Sequence, residues 1–401
     1  MFLRSLFTLG ILAAAAAPLH ADWLQFRGPN GSAVSSESKI PADTLKVAWS
    51  ADLPGRGLAA PIIVGDKVFV TCGSGPDQGT LHVICYSASD GHRLWERVMR
   101  ATGRTMTQGK TGVAAATPCS DGKHVFALYS SNDLFAFDLD GNLLWLRGLT
   151  FDYANASNSL GMAQSPIVVG DTLIVQSEND SESFAAGIDI ATGMNRWKID
   201  RPKAANWSSA LVWNGHGAEA VALQSSKGIS GIDAHTGKEL WKYSDSASTI
   251  PSSALGADAI YAVSSGITAL VPEAGAVSQL WRNEKLRPGT ASPIVVGGNL
   301  FVINNAGVLL KADTKTGADD SKFKLRLKGP FSGSPVAIGS KLYIVSERGV
   351  FQAIDTSAPE GKVQQEIELA AAGTKELVLC TPAIAGGAVY VRSDGKLWKI
   401  D

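Results

Sequence analysis

Apolar runs of three or four residues punctuate the chain, each bounded by Gly, Asp or another turn former, as in Val68-Phe69-Val70, Leu173-Ile174-Val175 and Leu342-Tyr343-Ile344-Val345. Runs this short and this uniformly apolar predict strands buried on both faces. They recur in a fixed order: a small residue plus Pro, a first run, a Gly/Asp turn, a second run, a polar turn, and a third run ending in Asp. SPIVVGDTLIVQSEND from Ser165 shows the order, as do APIIVGDKVFV from Ala60, SPIVVGGNLFVINNAG from Ser292, SPVAIGSKLYIVSERG from Ser334 and TPAIAGGAVYVRSDG from Thr381. A fourth run follows, clearest in GIDIATGMNRW (Gly187 to Trp197) and GIDAHTGKELW (Gly231 to Trp241), which fit AxDxxTGxxxW with Gly in the first position. Each unit therefore predicts one four-stranded antiparallel sheet.

The aromatic that closes the fourth strand sets the phase. Weaker copies end at Trp95, Trp145, Trp281, Phe323 and Val363, and with Trp49 the markers are spaced 40 to 52 residues apart. Eight fourth strands result, and eight triplets of earlier strands begin near Pro61, Pro118, Pro166, Ser208, Ser252, Pro293, Pro335 and Pro382. Trp398 sits in third-strand phase, so the chain stops one strand short. The run around Trp49 has fourth-strand character with no strands before it. The expected fold is an all-β, eight-bladed β-propeller of four-stranded antiparallel blades over 45–401, its ring closed by an N-terminal outer strand that completes the C-terminal blade. Radial repetition leaves only short, protected edges; an open solenoid would need capping repeats, which neither end supplies.

The repeated residues have structural roles in this reading. Asp138, Asp189, Asp233, Asp313 and Asp355 accept backbone N–H groups in the turn from third to fourth strand, where Gly141, Gly193, Gly237 or Gly317 takes a positive φ. Trp49, Trp95, Trp145, Trp197, Trp241 and Trp281 fill the widening gap between splayed blades, each offering its N–H to a neighbour's carbonyl.

Composition removes several functions. With 36 Lys+Arg against 37 Asp+Glu, the net charge of -1 supplies no basic field for nucleic acid. Residues 1–21 read as a signal peptide, with Arg4, an apolar run from Leu6 to Ala17, and Pro18-Leu19-His20-Ala21 before Asp22. Residues 22–44 are an N-terminal extension. No Cys follows the apolar run to carry a lipid anchor, and no later stretch approaches the ~20 apolar residues of a transmembrane helix. A periplasmic or secreted protein, exported and not lipid-anchored, is expected. Cys72, Cys85, Cys119 and Cys380 fit neither CxxC nor CxxCH spacing and are read as buried strand residues; Cys72 and Cys85 flank one hairpin without facing each other.

The units AxDxxTGxxxW preceded by SPxVxGxxxxV resemble the tryptophan-docking repeat of pyrroloquinoline-quinone-type (PQQ-like) propellers, over Trp49 to Asp401. One branch of that family, the quinone-dependent alcohol and sugar dehydrogenases, implies PQQ with calcium as cofactors, an adjacent Cys pair, an Asp base and long inter-blade insertions. This chain has no adjacent cysteines and is shorter. Another branch, similar to the propeller lipoprotein of the barrel-assembly machinery, implies a scaffold without catalysis. The opening WLQFRGPNGSAVS, from Trp23 to Ser35, resembles the start of many exported bacterial propellers of unassigned function.

Other motifs add little. Gly55 to Ala60 and Gly215 to Ala220 satisfy GxGxxA, but neither precedes a helix, which the dinucleotide site requires. There is no GxSxG, no P-loop and no His pair at metal-ligand spacing, so no catalytic or metal residues are assigned; His82, His92, His124, His216 and His235 fall on strands or turns.

The connections after Arg97, Arg147 and Lys198 are long. In a propeller they emerge on one face with second-to-third strand turns such as SENDSES from Ser177. One rim thus gathers Arg104, Lys110, Asp152, Tyr153, Asn155, Asn158, Asn179, Asp180, Glu182, Arg201 and Trp207, a mixture suited to a polar ligand or protein partner. The leading expectation is a non-catalytic scaffold binding a protein or cell-envelope component, without a cofactor. The alternative is a PQQ-dependent oxidoreductase in which acidic and amide groups of the rim hold calcium.

Overall fold

The computed structural model describes residues 21–37, 40, 44–156, 160–215, 218–370 and 376–401. Among them, thirty-two strands form eight separate four-stranded antiparallel sheets. Seven sheets take their strands in chain order, as blades 1 to 7 over 62–100, 119–148, 167–200, 211–243, 254–283, 294–326 and 336–368. Blade 8 joins Ala383–Ala385, Ala388–Arg392 and Lys396–Ile400 to the strand Val47–Asp52, which pairs Ser50 with Trp398 and Asp52 with Lys396. The ring thus closes by the predicted exchange of an N-terminal outer strand. Of the predicted signal segment, residues 1–20 lie outside the described residues.

Burial follows position in the blade. Val68, Val70, Leu173 and Val175 are fully buried, while outer strands run largely between half-buried and exposed residues, because blades diverge outward and leave one side wet. Trp49, Trp95, Trp145, Trp197 and Trp281 each donate the indole N–H to a carbonyl of the next blade, at 2.9 to 3.2 Å. Their rings, and that of Phe323, lie against Gly91, Gly141, Gly193, Gly317, Gly237 and Gly361, so closely that an added Cβ would stand 2.5 to 2.8 Å from the ring. Asp189 accepts the Ala191 and Thr192 amides, and Arg196, with Thr192, holds its carboxyl down at about 2. All four cysteines are free and buried. Cys72 pairs with His82 and Cys85 with Phe69, so the two do not face each other.

First-to-second and third-to-fourth turns share one face of the ring, the turn face; the long connections and second-to-third hairpins share the other, the mouth face. Residues 23–37 close the turn-face end of the central channel. Trp23 bridges Ile63 of blade 1, Leu24 accepts the Ser120 amide of blade 2, and the turn Pro29–Gly31 lies against blade 4. Arg27 reaches blades 5 and 6, Val34 bridges Ala337 of blade 7, and Glu37 accepts two amides of blade 8. This segment touches seven blades directly, as a hub would.

Candidate binding site at the channel mouth

The small residue before each first strand has a position and a bond that its role as a strand start does not explain. The amides of Ala60, Thr117, Ser165, Ser209, Ser252, Ser292 and Ser334 each donate to the hydroxyl one blade further on, ending at Thr381, at 2.9 to 3.0 Å. Seven hydroxyls thus link eight blades around the channel. The circle has one gap, because Ala60 has no oxygen to offer Thr381.

Above this circle opens a cavity of about 470 Å³ with Phe26 as floor and Leu58, Leu160, Trp207, Ile250 and Leu379 in its wall. Ile250 is 52% exposed. Trp207 is fixed by its N–H, which donates to the Gly161 carbonyl at 2.9 Å. Lys110 crosses from the connection between blades 1 and 2 to Glu347 of blade 7, 2.8 Å away, and Ser332 donates to the same carboxylate. Beneath the floor, Arg27 is 2% exposed and donates to the carbonyls of Ser253 and Pro293. Burial, without an ion pair among the described residues, lowers its guanidinium to about 10, so it stays charged at neutral pH.

The predicted rim residues divide into three groups. Lys110 and Trp207 reach the cavity. A second group lies around the second-to-third hairpin of blade 3: Asn155 donates its amide to Glu182, Asn179 organises the hairpin by accepting from the Ser181 amide, and Asp180 is exposed. Asp152 pairs with Arg147. The third group is structural. Tyr153 is 8% exposed, packs against Phe184 with centroids 4.1 Å apart and rings tilted by 43°, and lies under the Lys198 ammonium. Arg201 turns inward to the buried Glu178, at 2.6 Å. Arg104 stands exposed on the loop beside Met106, and Asn158 lies outside the described residues. Phe26, Ile250, Glu347 and the hydroxyl circle escaped the sequence reading. Only the recurring Ser-Pro and Thr-Pro doublets hinted at them.

The acidic groups near the mouth are already engaged by the protein's own cations and amides. Glu178, behind the wall formed by Ala163 and Trp207, has both oxygens engaged, by Gln176 and Arg201 on one and Asn206 on the other. The Arg201 guanidinium stands where a cation would have to approach. Asp152 and Glu182 are likewise spent on Arg147 and on Lys198 with the Asn155 amide, and the described residues form no cluster of three His, Cys, Asp or Glu suited to a metal.

Fold and repeat define the class, an eight-bladed propeller of PQQ-like repeats closed by its N-terminal strand. The chain belongs to the family described as outer membrane protein assembly factor BamB, whose model matches residues 36–197, 155–319 and 263–401. Among solved structures, BamB from Moraxella catarrhalis is similar at 16% identity and a TM-score of 0.62, over 89% of this chain and 98% of that one. A europium-containing methanol dehydrogenase is similar at 12% identity and a TM-score of 0.72, over 95% and 98%. The quinohemoprotein alcohol dehydrogenase from Comamonas testosteroni gives 13% and 0.68, over 96% and 81%. At these identities the likeness is one of fold. No curated protein sequence matches. No helix among the described residues is long and apolar enough to cross a membrane.

Proposed function

We propose that this protein is an exported scaffold of the cell envelope that binds a protein partner through the mouth face of its propeller. The observation that carries the reading is the apolar crater at the channel mouth, where Ile250 stands exposed beside a fixed Trp207. An aromatic anchor in a concave, apolar setting with charged groups at its edge is the usual centre of a protein interface. Lys110 and Glu347, paired across the mouth, keep connections from blades 1 and 7 in register around it. The family points the same way, since the described member is an outer-membrane assembly factor. A PQQ-dependent oxidoreductase finds no support in the donor set.

The test is capture from envelope extracts by immobilised protein. The double variant Ile250→Glu with Trp207→Ala is expected to capture its partner at least about tenfold less well than wild type. Leu280→Glu, on the outer strand of blade 5, is expected to capture it unchanged. Equal capture by the double variant, or no reproducible protein from wild type, sinks the reading.

A further inference from the structure

Blade 1 carries a hydrogen-bonded chain that no recognised motif announces. The Ser74 hydroxyl lies 2.6 Å from His82 Nε2, and His82 Nδ1 lies 2.7 Å from Glu96 Oε1. Register explains how residues so far apart in sequence meet. Across the second, third and fourth strands, Ser74, Thr80 and Arg100 form one row, Cys72, His82 and Val98 the next, and Val70, Ile84 and Glu96 the third. Directly opposed residues share a face of the sheet, so Ser74, His82 and Glu96 run diagonally across three rows of one face. Cys72 on that face approaches Arg392 of blade 8, which places the chain in the groove between blades 8 and 1.

The protonation pattern follows from the partners. An ionised carboxylate only accepts, so in the neutral imidazole Nδ1 carries the hydrogen toward Glu96, and Nε2 presents its lone pair to the Ser74 O–H. Arg93 holds the other oxygen of Glu96 at 2.5 Å and fixes the carboxylate. His82 is buried, Ser74 is half-buried at the strand end, and Val98 beside them is 58% exposed. Ser74 also precedes a hairpin in which Asp77 and Gln78 hold φ of 55° and 54°, a strained backbone of the kind that gathers at working sites. Nucleophile, base and orienting carboxylate are thus in sequence and within bonding distance.

We propose that Ser74, His82 and Glu96 form a nucleophilic serine site that hydrolyses small carboxylic esters, a function beyond the scaffold reading, at residues that do not line the central cavity. Ser74 Oγ attacks the ester carbonyl carbon as its proton passes to His82 Nε2. The C–O bond to the alcohol breaks, and the imidazolium returns that proton to the departing alkoxide. Water, deprotonated by the same imidazole, then cleaves the acyl-serine, releasing the carboxylic acid and restoring Ser74. Arg100, opposite Thr80 in the row of Ser74, donates to the Thr80 hydroxyl at 3.2 Å and is the cation of that row, and Val98 offers apolar surface to the ester.

The experiment treats the full-length folded protein with a fluorophosphonate probe, maps the adduct by peptide mass, and follows 4-nitrophenyl acetate release. A single adduct on Ser74 is expected, absent in Ser74→Ala, with the labelling rate and ester turnover about 100-fold lower in His82→Asn. Glu96→Gln, whose amide can donate to Nδ1 and turn the tautomer around, is expected to lose a similar factor and serves if His82→Asn does not fold. No adduct on wild type, adducts spread over many serines, or Ser74 labelled equally fast without the base would overturn the proposal. Partner capture at the central cavity, which none of these residues lines, is expected to be unchanged in these variants, so the two readings fail separately.

Discussion

Three joints of the ring lack one of the contacts that the other joints repeat: blades 7 and 8 meet with Val363 in the aromatic position, and the 4–5 and 8–1 joints lack different contacts. Between blades 4 and 5 the contact of indole with turn glycine is missing. Trp241 is buried, but the turn Pro272-Glu273-Ala274-Gly275 has lost the aspartate and threonine of the other turns, and a Cβ on Gly275 would meet nothing. The inner link from Ser209 to Ser252 remains. Between blades 8 and 1 the outer contact of Trp49 with Gly91 and Ala88 is intact, and the inner hydroxyl is missing at Ala60. An arginine bridges each of these last two joints. Arg282 donates to Tyr243 and Asp245 across blades 5 and 4, and Arg392 donates to the Thr71 carbonyl from blade 8. Outer belt and inner circle are therefore separable devices, and every joint keeps at least one of them.

The largest effect should come from deleting an intact outer contact. Trp197 is 8% exposed, donates to the Ala234 carbonyl and covers Gly237. Trp197→Ala is expected to cost about 3–5 kcal/mol of unfolding free energy, read from the denaturant midpoint with the slope held in view. An unchanged midpoint would mean that the indoles do not hold the blades together.

A smaller effect separates the two kinds of joint. Gly237 and Gly275 both have positive φ, 72° and 80°, so an alanine at either pays the same left-handed strain of about 1–2 kcal/mol. Only at Gly237 would the new Cβ also meet a ring, at 2.7 Å from Trp197. Gly237→Ala should therefore be worse than Gly275→Ala by about 1–3 kcal/mol. Equal losses would show that the ring over Gly237 adds nothing to its joint.

What could be read from sequence follows from this repetition. Trp, Gly and Asp recur at a fixed phase and have few other reasons to do so, so strand order, blade number and even the closing strand at Trp49 were legible. The hub at residues 23–37 occurs once, and a single copy has no period to betray it; nothing in the sequence around Arg27 marks it as buried. Tyr153 was placed on the rim because its connection is long, but the short helix Leu149–Asp152 delivers it onto Phe184, a tertiary contact that composition does not encode. Arg201 was drawn inward by Glu178 for the same reason. The Ser74, His82 and Glu96 chain lies between these cases. Its members are invisible as a motif, yet they follow once the hairpin register is fixed, because the pairing of Cys72 with His82 also sets Ser74 diagonally beside it.

The smallest effect tests the inner circle at its gap. The Thr381 amide is the one ring amide whose neighbouring blade offers no hydroxyl, since Ala60 carries only a methyl group. Ala60 is 1% exposed, and serine adds a single oxygen at the position where seven other blades already hold one. If the circle is a set of equivalent links, Ala60→Ser supplies the eighth and raises stability by about 0.5–1.5 kcal/mol, the net worth of one intramolecular hydrogen bond. The gain should appear as a higher denaturant midpoint at unchanged slope. A loss instead of a gain would mean that Arg392 has already shaped this joint around the methyl group, and that the outer belt with the arginine, not the hydroxyl circle, sets how firmly the ring is shut.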